Sequence, residues 1–132
     1  MKTRPATRSE RQLALLWLAA AASAIALRPV WLGIAPHLRP CVFHSLTGIP
    51  CPSCGTTHAG VAFLHGDLAA AFAANPLAAL AGLIFVVGAP LAAIWAIVRA
   101  PVAELRSPLP LWIRVGMLAV IALNWLYLIL FA

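Results

Sequence analysis

All three cysteines of the chain, Cys41, Cys51 and Cys54, and all four of its histidines, His37, His44, His58 and His65, fall between residues 37 and 65. The tightest group is Cys51-Pro52-Ser53-Cys54-Gly55, a spelling in which two thiolates can converge on one metal ion while the glycine allows a tight turn. A structural zinc site takes four ligands. Cys51 and Cys54 supply two, Cys41 a third, and His44 or His58 a fourth, so the segment holds the makings of a Cys3His zinc centre. A second knuckle of this kind is absent from the sequence.

The same thiols read as a redox pair. Cys-Pro-x-Cys is also the spelling of glutaredoxin active sites. A helix opening near Gly55 to Thr57 would set Cys54, and less closely Cys51, at a positive helix end that favours the thiolate. No βαβ pattern of a thioredoxin-like domain accompanies it. Cys41 is then a resolving thiol; a structural disulfide, either Cys51–Cys54 or one linked to Cys41, is the remaining reading. Haem attachment is excluded, because Gly55 follows the second cysteine where a c-type site needs histidine.

The elements that must position these residues are short. Gly48 and Pro50 mark a turn before the knuckle, and Pro52 and Gly55 shape the knuckle's own turn. From Thr56 the run TTHAGVAFLH reads as a helix stopped by Gly66, with His58 and His65 seven apart on one face. Asp67 caps a second short helix, Leu68 to Ala74, and Asn75-Pro76 is an N-cap followed by proline at the first helical position. This hairpin is too short and too interrupted to span a bilayer, and is expected to lie in its interface. Taken singly, His37, His44 and His65 suit surface or capping roles, as Asp67 suits a cap, while His58, close after the knuckle, has the better case as a ligand.

Composition sets the solvent. Of 132 residues, 64% are hydrophobic and 9% charged, far outside the range of globular proteins. Helices of roughly 20 apolar residues satisfy their own backbone in a bilayer, and three such runs are present. A basic tail, 1–12, precedes a first span over 13–32 that requires Arg28 to snorkel to the interface. Ala22-Ser23-Ala24 resembles a signal-peptide cleavage site, but apolar character continues through Leu27, which favours an uncleaved anchor. The prolines at 29, 36 and 40 are expected to end the helix and bring the chain out of the bilayer for the Cys/His segment, 33–75. A second span follows over 76–98, with Gly82 and Gly88 as points of close helix approach and Pro90 as a kink. A polar link, 99–110, leads to a third span, 111–131, in which Asn124 suits an interhelical hydrogen bond and Trp112, Trp125 and Tyr127 suit interface or packing positions.

The net charge of +6 comes from basic residues that flank apolar runs, not from a basic face with interleaved aromatics, so nucleic acid is not the expected partner. With the N-terminus inside, Lys2, Arg4, Arg8, Arg11, Arg99, Arg106 and Arg114 fall on the cytoplasmic side and only Arg28 and Arg39 outside. That bias puts the Cys/His segment on the extracytoplasmic face of a plasma membrane. No glycine-rich phosphate loop is present, so no nucleotide is expected.

A resemblance rests on the same residues. The pattern Cys41, Thr47-Gly48-Ile49-Pro50-Cys51-Pro52-Ser53-Cys54-Gly55, Thr57, Ala59, then Leu64, Gly66-Asp67-Leu68, Ala71 and Asn75-Pro76-Leu77 resembles a widespread group of small bacterial membrane proteins classed as a domain of unknown function. The resemblance covers the middle third of the chain and implies a bacterial multi-pass protein of the inner membrane, without supplying an activity. Where that group has arginine after the threonine, this chain has His58, which leaves Cys41, Cys51 and Cys54 as the shared candidates.

The expectation is therefore an all-α integral membrane protein, with three transmembrane helices and a Cys-rich interfacial hairpin between the first and second. Its leading functional reading is a non-enzymatic protein whose knuckle binds zinc, in company with the lipid bilayer and with another membrane protein or a second copy of itself. A thiol-disulfide oxidoreductase using Cys51 and Cys54 is the alternative, and an accessory subunit with a structural disulfide the third.

Overall fold

The computed structural model describes residues 3–38, 41–98, 102–103 and 110–131. Seven α-helices account for most of them: α1 (Arg8–Ala26), α2 (Arg28–Ile34), α3 (Val42–Thr47), α4 (Thr56–His65), α5 (Leu68–Ala74), α6 (Pro76–Val98) and α7 (Leu111–Phe131). A 3-10 turn, Ala35–His37, follows α2, and two-residue strands β1 (Thr3–Arg4) and β2 (Val102–Ala103) pair antiparallel. Apart from that pair the regular structure of the described residues is helical. The expected link over 99–110 lies, save for Val102, Ala103 and Pro110, outside the described residues, as do Lys2, Arg39, Arg99 and Arg106 of the charge count.

The chain divides into two compact units, one from Met1–Ala26 with Leu83–Leu109, the other from Leu27–Gly82 with Pro110–Ala132. In the first, α1 begins inside what reads as a solvated tail. Thr7 and Glu10 form a reciprocal capping box: the Thr7 N–H donates to Glu10 Oε2 at 2.8 Å and the Glu10 N–H to Thr7 Oγ1 at 3.3 Å. The Thr-x-x-Glu spacing carries this signal in the sequence, and two satisfied helix-end donors outweigh the polarity of the first turn. Trp17 of α1 lies against α6, its ring centroid 6.4 Å from that of Phe85. Gly88 makes the room: a Cβ there would stand 2.8 Å from the Trp17 ring, so the expected close approach at this glycine is present.

The expected helix over 13–32 is not continuous. It stops at Ala26 and resumes at Arg28, because Pro29 falls in the first turn of α2, where a missing N–H costs nothing. Proline here opens a second helix where the sequence suggested an exit from helical structure.

In the second unit α4 and α5 pack on one another as a hairpin, and α2 touches α4. Gly66, at φ 85°, ends α4, and Asp67 Oδ1 accepts from the Ala70 N–H at 2.9 Å to begin α5, both as the sequence indicates. A Cβ added at Gly82 of α6 would stand 3.8 Å from the Phe63 ring of α4, an ordinary contact distance. Helices α6 and α7 have 23 and 21 residues, or about 34 and 31 Å at the usual rise, which matches a hydrocarbon core of about 30 Å. Leu91, Ile94, Leu118 and Leu123 on them are more than half exposed, the arrangement expected where lipid is the solvent. These two helices are long and apolar enough to cross a membrane, and α1 counts as part of a third only together with the broken segment after it.

Candidate functional site

The cysteines sit on two pieces of backbone, each fixed by local chemistry. Cys41 precedes α3, its carbonyl accepting from the Ser45 N–H at 3.0 Å. Helix α3 is stopped at Gly48, φ 72°, whose N–H donates to the His44 carbonyl at 2.9 Å. Thr47 Oγ1 then accepts from the Ile49 N–H at 3.2 Å and turns the chain toward Pro50. The knuckle closes as a turn, with the Cys54 N–H donating to the Cys51 carbonyl at 2.9 Å. Pro52 restricts Cys51, since the residue before a proline disfavours the helical region. Gly55, at φ 79°, leads into α4, and a Cβ on it would meet the Ala74 carbonyl oxygen at 2.5 Å, so only glycine suits both the dihedral and the space.

Longer connections anchor this loop. Asn75, 1% exposed, uses both ends of its amide: Oδ1 accepts from the Ala78 N–H at 3.0 Å and caps α6, while Nδ2 donates to the Cys54 carbonyl at 2.9 Å. Three residues of α7 reach the same region. Asn124 Oδ1 accepts from the Leu77 N–H at 3.0 Å, Trp125 Nε1 donates to the carbonyl of buried Pro50 at 2.8 Å, and the Tyr127 hydroxyl donates to the Ala73 carbonyl at 3.0 Å. The cap at Asn75 and the interhelical bond of Asn124 are as the sequence indicates. The bonds from Asn75 to Cys54 and from Trp125 to Pro50 are not readable there, because their partners lie 21 and 75 residues away.

The thiols converge on Cys51. Its Sγ is 3.3 Å from Cys41 Sγ and 3.3 Å from Ser53 Oγ. The Ser53 hydroxyl, with the Cys41 thiol second, holds the Cys51 thiol below its ordinary pKa by hydrogen-bonding the thiolate. Cys54 goes the other way. Burial, with the charges of Cys51 and Cys41 behind it, pushes its thiol up. Burial therefore acts against the activation expected of Cys54 at the start of α4. His44 Nδ1 approaches Cys54 Sγ at 3.9 Å, at the outer limit for a hydrogen bond to sulfur. His58 is exposed on α4 and bonds to none of the thiols, while His37 turns back onto the Gly33 carbonyl of α2 and His65 onto the Val61 carbonyl of its own helix, α4. Of the four histidines it is therefore His44 that the fold brings to the cysteines. Among the described residues no set of three or more His, Cys, Asp or Glu side chains is arranged to hold a metal ion.

Two apolar helices of membrane-spanning length, a third available by combination, and a thiol loop bonded to residues of both define an all-α membrane protein. Within it, residues 41–89 are similar to a family described as a protein of unknown function, DUF2752. That stretch takes in all three cysteines, Asn75 and the first part of α6, and leaves α7 outside it. No curated protein and no solved structure gives a significant match to the chain.

Proposed function

We propose that the protein is a membrane thiol-disulfide protein in which Cys41 and Cys51 form the redox couple. The observation that carries this reading is the 3.3 Å contact of their sulfurs, joined to the downward shift of the Cys51 thiol by Ser53. A thiolate is the attacking species in disulfide exchange. The Cys51 thiolate attacks a disulfide of a partner protein and one partner sulfur leaves as a thiolate. The Cys41 thiolate then attacks the Cys51 sulfur of the mixed disulfide. The products are the Cys41–Cys51 disulfide and a partner dithiol, two electrons having passed to the partner. The distribution of basic residues supports an extracytoplasmic loop at the bacterial inner membrane, where such a couple meets oxidising conditions. This departs from the sequence-based pairing of Cys51 with Cys54, because Cys41 stands against the more acidic thiol.

The test is a redox titration of the purified full-length protein in glutathione buffers, with thiols trapped by acid and alkylation and the bonds mapped by mass spectrometry. The expected result is a Cys41–Cys51 bond that forms and opens across the series while Cys54 stays free. Three thiols free in the most oxidising buffer would sink the proposal. A bond that never opens would mark a structural staple.

Zinc is the second reading, favoured by the approach of His44 to Cys54, which gives the loop a Cys3His composition. The side chains would have to close further around an ion to hold it. Elemental analysis of the detergent-purified protein separates the readings: about one zinc per chain with three reduced thiols establishes the metal, and a metal-free protein with one free thiol removes it.

A further inference from the structure

The thiol loop belongs to the segment of family similarity, yet a residue of α7 fixes it. Trp125 Nε1 donates to the Pro50 carbonyl at 2.8 Å, and so holds the peptide plane between Pro50 and Cys51. Asn75 Nδ2 does the same at the other end of the turn, on the plane between Cys54 and Gly55. Between them the turn's own hydrogen bond runs from the Cys54 N–H to the Cys51 carbonyl. With Pro52 restricting the backbone at Cys51, the direction of its Cα–Cβ bond follows from where the Pro50–Cys51 plane is held. Tyr127, two residues further along α7 from Trp125, makes a comparable bond to the Ala73 carbonyl of α5, which is not part of the turn.

We propose that Trp125 is a positioning residue for thiol chemistry: its indole N–H holds the Pro50–Cys51 peptide so that the Cys51 sulfur faces Cys41. The consequence lies in the effective concentration of the two thiols. A pair held at 3.3 Å closes to a disulfide with little further loss of freedom, whereas a turn released at Pro50 must be reordered each time the bond forms. Pro50 is buried, so its carbonyl finds no easy substitute donor in water once the indole is gone. The inference rests on the Cys41–Cys51 couple proposed above.

The experiment is the equilibrium of full-length protein with glutathione, in which protein dithiol and oxidised glutathione give the Cys41–Cys51 disulfide and two reduced glutathiones. It is read for wild type, Trp125→Phe and Tyr127→Phe. Each variant removes one hydrogen bond from α7 and keeps an aromatic ring. Trp125→Phe is expected to lower the equilibrium constant for the Cys41–Cys51 bond by about fivefold, the scale of one hydrogen bond. Tyr127→Phe is expected to leave that constant within about twofold even where it lowers the melting temperature as much. An unchanged constant in Trp125→Phe, or an equal fall in both variants, overturns the positioning role. Failure of the wild type to form the bond at all is a different result, and it removes the couple itself.

Discussion

Asn75 shows how much one side chain can carry when its two polar ends answer two unrelated needs. Loss of the cap alone costs about 1 kcal/mol, and leaving the Cys54 carbonyl without its donor costs about 1–3 kcal/mol more. Asn75→Ala should therefore destabilise the protein by about 2–4 kcal/mol in a denaturant titration in detergent. Asn75→Ser keeps an acceptor for the cap but is too short to reach Cys54, and should lose only the second part. An Asn75→Ser variant as stable as the wild type would show that the Cys54 bond contributes nothing, and equal losses in the two variants would show the same of the cap. The cysteines differ in a way that pH exposes. A depressed pKa means that the thiolate of Cys51 appears at lower pH than in an ordinary cysteine, and a raised pKa means that the thiolate of Cys54 appears later. Iodoacetamide modification of the reduced protein, followed by mass spectrometry, should rise at lower pH at Cys51 than at Cys54. The reverse order would contradict the roles assigned to Ser53 and to burial. Neither effect was legible in the residue types: a cysteine beside a helix start reads as activated until its burial is known.

At the scale of elements, local signals served well wherever the cause was local. Gly66, Asp67 and Asn75-Pro76 mark their helix ends as the sequence implied, because a left-handed dihedral, an aspartate cap and a first-turn proline act within four residues. They failed at the first apolar run. There Pro29 was taken as an end, when in the first turn of α2 it serves as a beginning. The knuckle's Gly55 combines both kinds of cause: its dihedral is local, but its want of space comes from the Ala74 carbonyl, 19 residues on. Backbone cannot swing aside as a long side chain can. Gly55→Ala should cost at least about 2 kcal/mol from the dihedral and the contact together, read as a fall in melting temperature in detergent. Gly48, with open space around it and a similar dihedral, should suffer only the dihedral part on substitution by alanine. If Gly48→Ala proves as damaging as Gly55→Ala, the close approach to Ala74 is not what constrains the knuckle.

For the whole molecule the remaining question is which side of the membrane the thiols face. Basic residues flank the apolar runs asymmetrically, so a membrane-impermeant maleimide applied to intact spheroplasts should label the reduced loop cysteines without lysis. Labelling that appears only after lysis would invert the topology and put the couple in a reducing compartment. The sequence by itself determined the solvent, the two long spans and the concentration of thiols in one loop, because hydropathy and composition act residue by residue and need no fold to be read. Only the tertiary structure decided that the Cys41 sulfur comes to 3.3 Å from that of Cys51, that His44 and not His58 comes near Cys54, and that Trp125 grips the loop from α7. Those are contacts across 10 and 75 residues, set by the turn at Gly48 and by the packing of α7 on the loop, and no spacing along the chain encodes such distances.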